Sequence, residues 1–174
     1  MLVGLPEWQF DVVTFTQIAG LLACAFLLAL PVGWDREQAD RSAGLRTFPL
    51  VAVSACAFLT MSRMAFAPDA QARVMQGLIT GIGFVGGGAI LKDGSRVRGT
   101  ATAASIWTTG AIGAAVALGR LDVALALSAI TFATLRWLHG VTSDSQKSEP
   151  GQRSSNPRSP QAEGRQMDRA GSSQ

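Results

Sequence analysis

The sequence predicts an all-α protein that crosses a membrane five times, with its N-terminus outside and its C-terminus in the cytoplasm. Three observations predict this. Only 16% of the 174 residues are charged while 48% are hydrophobic, against about 25% charged in a typical soluble domain. The charges gather in short islands separated by five long uncharged runs. Most of the Lys and Arg residues fall on alternate islands, those that would share one side of a bilayer.

The first run lies between Asp11 and Asp35, the second between Arg46 and Arg63, and the third between Arg73 and Lys92. The fourth lies between Arg98 and Arg120. The fifth, between Asp122 and Arg136, is shorter; snorkelling at Arg136 and the following Trp137 and Leu138 lengthen it. A hydrocarbon core of about 30 Å takes about 20 residues of helix, so each run reads as one span. The third and fourth are rich in Gly, Ala and Thr, which makes them weaker in hydropathy. A soluble bundle would show a polar stripe at helical period, and the runs are read as lacking one.

Orientation follows from the basic residues. Arg36, Arg41 and Arg46, then Lys92, Arg96 and Arg98, then Arg136 and the five Lys and Arg beyond it fall on one side. The other side has Arg63, Arg73 and Arg120. The richer side is the cytoplasmic one. Trp34 and Trp137 at inner helix ends, and Trp8 before the first run, fit an interfacial belt. No Lys or Arg precedes Arg36, so the first run lacks the basic n-region of a cleaved signal peptide. Residues 1–142 are therefore expected to form the membrane domain. Residues 143–174, whose only apolar members are Ala162, Met167 and Ala170, are expected to be a disordered cytoplasmic tail.

Several functions are disfavoured at this point. Lys and Arg do not cluster on one face, so no nucleic-acid partner is expected. Cys24 and Cys56 lie inside apolar runs and read as small buried hydrophobes, not as a disulfide scaffold. The single histidine, His139, excludes a multi-histidine zinc site within one chain. Gly81-Ile82-Gly83-Phe84-Val85-Gly86 matches G-x-G-x-x-G, but no acidic residue follows near position 106 and the context is a membrane span. No Ser-His-Asp pattern or metal-ligand spacing is present, so no enzyme and no cofactor are expected.

Small and hydroxylated residues give a second layer of expectations. Gly77 and Gly81, and likewise Gly83 and Gly87, stand four apart and read as helix-packing positions. Gly86-Gly87-Gly88 weakens a helix and marks either plain packing or a kink lining a polar site. Thr102, Ser105 and Thr109 share a helix face; their hydroxyls bond back to their own helix, bond across to a neighbour, or line a polar path.

The inner islands hold the candidate functional charges. Continuing the first helix through Asp35-Arg36-Glu37 pairs Arg36 with Asp40 and Glu37 with Arg41. Asp35 has no cation at i+3 or i+4 and sits closest to the apolar run. A carboxylate there wants a partner, with Arg46, Arg96, Arg98 or a divalent cation as candidates. Asp93-Gly94 is a turn signal that would present Arg96 and Arg98 near the same surface. Asp35, Arg36, Glu37, Arg46, Asp93 and Arg98 are thus expected to form a charged cytoplasmic cluster, with Asp35 as the candidate metal ligand.

These residues also carry a family resemblance. Arg36-Glu37 followed by Ala43-Gly44-Leu45-Arg46-Thr47 resembles the signature of the MgtC/SapB family of bacterial membrane proteins. Gly81 to Leu91 resembles that family's glycine-rich helix, and Val97-Arg98-Gly99 with Thr102 to Trp107 resembles its next block. Arg73, on the outer side, also fits. The likeness spans about residues 15–140; Asp35 stands where Glu is usual, and Thr100-Ala101 where Leu-Thr is usual. The polar tail takes the place of the soluble domain of longer members. The resemblance implies a bacterial inner-membrane protein linked to growth at low magnesium and, in pathogens, to survival inside macrophages. It implies a regulator that binds other membrane proteins, the ATP synthase among them, and an important acidic residue at the Asp35 position. A regulator working through helix–helix contacts is the first functional expectation, with homo-oligomers allowed. A small oligomeric ion transporter or channel using Asp35 and the Thr/Ser face is the second, and direct Mg2+ binding is left open.

Overall fold

The structure is a computed structural model that describes residues 10–39, 43–93 and 96–145. Five α-helices appear in the expected order: α1 (Val12–Gln38), α2 (Thr47–Ala65), α3 (Pro68–Gly88), α4 (Thr100–Ala117) and α5 (Leu121–Ser145). Each contains or closely matches one uncharged run. The charged island between α3 and α4, where the sequence signals a turn, is a two-stranded antiparallel ribbon of β1 (Leu91–Asp93) and β2 (Arg96–Arg98), with Lys92 opposite Val97. The described chain is therefore helical except for this hairpin. Helix α5 runs to Ser145, three residues past the expected domain boundary; the rest of the tail lies outside the described residues.

The helix ends follow from local chemistry. Asp11 caps α1: its carboxylate accepts from the Thr14 hydroxyl at 2.6 Å and from the Thr14 and Val13 amides at 2.9 and 3.3 Å. Those bonds, the Thr14 hydroxyl foremost, hold its carboxyl below the ordinary value. Pro68 starts α3 at a position where a missing N–H costs nothing. The Gly86-Gly87-Gly88 run forms the last turn of α3 and ends it instead of kinking it. Gly99 precedes α4 with φ +89° and lies directly against the Ala89 carbonyl, so a side chain there meets both backbone strain and a steric clash.

Helix α4 is the centre of the bundle and touches each of the other four helices. It does so because its neighbours meet it at missing or small side chains. A Cβ added to Gly113 would collide with the Ala52 backbone of α2, and one on Gly110 with Ile82 of α3. Gly86 of α3 approaches the Ala103 carbonyl so closely that an added Cβ would stand 3.1 Å from its oxygen. The core is accordingly built from Ala25, Ala29, Ala52, Cys56, Ala115 and similar small residues, with Ile112, Val116 and Leu59 between them. Cys56 is buried and Cys24 half-buried in this cluster, both as free thiols. Two polar links cross it: the Ser128 hydroxyl of α5 donates to the Leu28 carbonyl of α1 at 2.7 Å, and Arg63 of α2 donates to the Ala117 carbonyl that ends α4.

Gly77, Gly81, Gly83 and Gly87 do not take part in this packing. A Cβ at any of them meets nothing within 4 Å, so the close contacts expected there are not made within this chain. The glycines that pack α4 against its neighbours are Gly86, Gly110 and Gly113. Meanwhile many large apolar side chains point outward: Leu27, Phe58, Phe84 and Ile130 are 61, 54, 85 and 64% exposed. Small residues inside and large ones outside suit a hydrocarbon surrounding, where helices associate by close packing; in water so extensive an apolar surface would aggregate.

Gly113→Ala is expected to force α2 and α4 apart and to cost about 1–3 kcal/mol, as overpacking does. Gly87→Ala, in open space, should leave stability unchanged or raise it by roughly the 1 kcal/mol by which Ala favours helix over Gly. Thermal unfolding of the detergent-solubilised protein measures both. In the α4–α5 turn, the Arg120 guanidinium bonds Asp122 at 3.0 and 2.7 Å and holds its carboxyl down to about 2. The ion pair's contribution is therefore complete above the ordinary carboxylate value and is lost as pH falls through about 2. NMR titration should show Arg120→Ala moving the Asp122 midpoint back up towards its ordinary value, with little change in stability at neutral pH because the pair is exposed.

Candidate functional site

At about 1.5 Å per residue, the 27 residues of α1 reach about 40 Å, beyond a hydrocarbon core of about 30 Å. The last turn of α1, Asp35 to Gln38, is thus an extension of the apolar run. Its side chains are not simply solvated. Asp35 and Arg36 are both buried, with side-chain exposures of 8 and 2%. Arg36 donates through Nε at 3.1 Å and Nη2 at 2.6 Å to the same oxygen of Asp35. Sequence reasoning gave Asp35 a distant partner; the structure gives it its immediate neighbour. Residues one apart on a helix point about 100° from each other, so the long Arg36 side chain folds back to make the pair. The expected Arg36–Asp40 and Glu37–Arg41 pairs fall partly outside the described residues.

Glu37 has a different task. Its Oε2 accepts the Leu45 amide at 3.0 Å and thereby ties the end of α1 to the segment that starts α2. Gly44 lies directly beneath that carboxylate, where any Cβ would strike it. Gly33, one turn earlier on α1, takes the other side of the same contact: an added Cβ would stand 3.3 Å from the Leu45 Cα. Ala43-Gly44-Leu45 is therefore a strap drawn against α1 by one carboxylate and two missing side chains. The sequence motif contained Gly44, but nothing in it singled out Gly33. At the same end Arg136 of α5 reaches Gln38 at 3.5 Å.

The remaining candidates are more dispersed. Arg46 is exposed at one end of a groove of about 700 Å3 between α2 and α3, whose walls include Leu50, Phe58, Gly77 and Gly81. Arg98 is exposed on β2, and Asp93 pairs with Arg96 in the ribbon register. No hydrogen bond or ion pair among the described residues joins Arg98 to Asp35, Arg36, Glu37 or Arg46. Arg73 is exposed on α3. Among the described residues no group of three or more His, Cys, Asp or Glu side chains is placed to hold a metal ion. On α4, Thr102, Ser105 and Thr109 are buried, and the Ser105 and Thr109 hydroxyls donate to the Ala101 and Ser105 carbonyls of their own helix at 2.7 and 2.8 Å. The G-x-G-x-x-G run lies wholly inside α3, without the preceding strand a dinucleotide site needs.

Two helices, α1 and α2, are long and apolar enough to cross a bilayer on their own. With the apolar exterior and the buried ion pair at the end of α1, they define a helical membrane protein whose charged features cluster at helix ends. The chain belongs to the MgtC family, whose model matches residues 22–143. It is similar to Protein MgtC of Salmonella typhimurium (strain LT2), 42% identical over 116 residues, which is 67% of this chain and 49% of that protein. It is also similar to Protein MgtC of Brucella abortus (strain 2308), 41% identical over 104 residues, 60% of this chain and 44% of that protein. The chain thus spans about half the length of the curated relatives it matches. No solved structure matches it.

Removing one member of a buried pair leaves a charge without compensation. Arg36→Ala is expected to cost about 3–5 kcal/mol. Glu37→Ala should cost about 1–3 kcal/mol by freeing the Leu45 amide, while Glu37→Gln, which keeps an acceptor, should cost less. Denaturation in detergent, followed by far-ultraviolet circular dichroism, gives the ranking; an Arg36→Ala protein as stable as the parent would contradict the burial of the pair.

Proposed function

We propose that this protein is a bacterial inner-membrane regulator of the MgtC type. In this reading it crosses the bilayer five times with its N-terminus outside, and it adapts the cell to low magnesium by binding other membrane proteins through its helices. Membership of the MgtC family over residues 22–143, most of the helical bundle, is the observation that carries this reading. The positive-inside count supports the orientation. Under it the Asp35–Arg36 pair, the Glu37 strap and the β-ribbon all lie on the cytoplasmic side, and Arg73 and the Arg120–Asp122 pair lie outside. A virulence role and an ATP synthase partner extend the same reading from the family resemblance.

The competing reading is a small oligomeric ion transporter. The placement of the hydroxyls that would line its path favours the regulator: Ser105 and Thr109 are buried in the packed interior and donate to carbonyls of their own helix, so they do not face an open passage. The groove between α2 and α3 has an almost wholly apolar wall, suited to a hydrophobic neighbour and not to a hydrated ion. Neither catalysis nor a bound cofactor forms part of the proposal.

Purified protein in liposomes should give magnesium flux no greater than empty vesicles, with Asp35→Asn indistinguishable from the parent. Tagged protein in native membranes should retain a specific membrane complex after detergent washing. Robust flux that disappears in Asp35→Asn would instead establish the transporter.

A further inference from the structure

The groove of about 700 Å3 between α2 and α3 has an apolar length and a charged mouth. Leu50 and Phe58 of α2 and Leu78 and Val85 of α3 form its walls, and Ile106 of α4 also lines it. The α3 wall is open at Gly77 and Gly81, where an added Cβ would meet nothing within 4 Å. Along α2 the lining begins at Arg46 and ends at Phe58, a helical rise of about 18 Å. The 19 residues of α2 rise about 28 Å in all, and one leaflet of a core about 30 Å thick takes about 15 Å. The groove therefore runs the depth of one leaflet, starting at the end of the span where headgroups lie. Arg46 is exposed there, and among the described residues it makes no ion pair and no side-chain hydrogen bond. Thr47, next to it in the lining, has a hydroxyl with no partner among the described residues. A second groove, of about 340 Å3 between α3 and α4, differs at this point: its arginine is Arg120, already bonded to Asp122 at 3.0 and 2.7 Å.

We propose that the first groove holds one acyl chain of an anionic phospholipid from the leaflet at Arg46, with the lipid's phosphate on the Arg46 guanidinium. The guanidinium presents a planar fork of donors that fits two phosphate oxygens, and the Thr47 hydroxyl is a further donor beside it. An acyl chain gains little by leaving bulk lipid for a protein groove. The groove accordingly sets where the lipid lies, and the unpaired cation sets which headgroup is preferred. The length selects this occupant. A partner's transmembrane helix crosses both leaflets, so about half of it would lie beyond the groove. A free phosphate would use the cation and leave the apolar walls uncovered. This inference rests on α2 and α3 lying in the bilayer, as proposed above.

Native mass spectrometry of the full chain in non-ionic detergent, titrated with phosphatidylglycerol or phosphatidylcholine, reads the preference. The parent should bind one phosphatidylglycerol about five-fold more tightly than phosphatidylcholine, the worth of one basic side chain at an anionic surface. Arg46→Gln should abolish that preference and Arg46→Lys should keep most of it. Gly77→Leu or Gly81→Leu, which fills the groove, should weaken both lipids together. Arg120→Gln should change nothing. Equal affinities in the parent, a preference that survives Arg46→Gln, or folded leucine variants without effect would each overturn the site. So would displacement of the lipid by an equal concentration of inorganic phosphate, which assigns Arg46 to a free anion, or a second polypeptide that replaces the lipid and is lost in Gly81→Leu. Should the leucine variants fail to fold, Arg46→Gln against Arg46→Lys, both at an exposed position, decides alone. Vesicles of phosphatidylcholine brominated along its chains separate the site from the span, read through tryptophan fluorescence, to which the 51% exposed Trp107 of α4 contributes. Quenching together with headgroup-blind binding refutes the lipid site and leaves the helices in the bilayer; no quenching refutes the span and the site with it.

Discussion

Close approach of helix backbones around α4 is the constraint on which the rest of the structure depends. In an apolar surrounding, side chains gain little by moving from lipid to a protein interior, so helices must associate through dense van der Waals contact and a few hydrogen bonds. That requires places without side chains. Gly113 against Ala52, Gly110 against Ile82 and Gly86 against Ala103 supply them on two sides of α4. The bonds from Ser128 to Leu28 and from Arg63 to Ala117 then fix the relative heights of α1, α5, α2 and α4. A core of alanines follows, because larger residues would hold the backbones apart.

That constraint also explains what happens at the end of α1. With the helix held by Ala25 and Ala29 against the bundle, its last turn has no choice of position, and Asp35 and Arg36 are carried into a buried location together. Neither charge is tolerable there alone, and pairing with a sequence neighbour needs no rearrangement elsewhere. Glu37, one position on and exposed, is left to secure the strap at Leu45. Three consecutive charged residues thus do two jobs, set by the direction each leaves the helix.

The five helices and their order were legible in the charge spacing, because most charges gather between or at the ends of the apolar stretches that form helices. The chain reversal after Asp93 and the burial of Cys56 were legible for equally local reasons. Which glycines pack was not. Regular i,i+4 spacing drew attention to Gly77, Gly81, Gly83 and Gly87, but spacing reports only that two residues share a face; the face that meets a neighbour is settled by tertiary contacts several helices away. Gly110 and Gly113, three apart in a run of small residues, carried no comparable pattern. The Asp35–Arg36 pair was missed because helix-surface rules address partners three or four residues away, and a buried arginine long enough to fold back obeys no such spacing.

Helix α3 shows how the same method both hides and contains information. Reading charge-free runs started the third span after Arg73 and so cut Asp69 and Arg73 away from the helix that in fact begins at Pro68. The run was therefore read as lacking a polar stripe, when the stripe simply begins before it. Restoring those first turns turns scattered polar and small residues into one continuous line on a single face. It also accounts for the weaker hydropathy of this segment, which carries Asp69, Arg73, Gln76 and Thr80 among its glycines. Within the chain that helix buries only Gly86, the least of any helix whose burial is described, so its position is the one the bundle itself determines least.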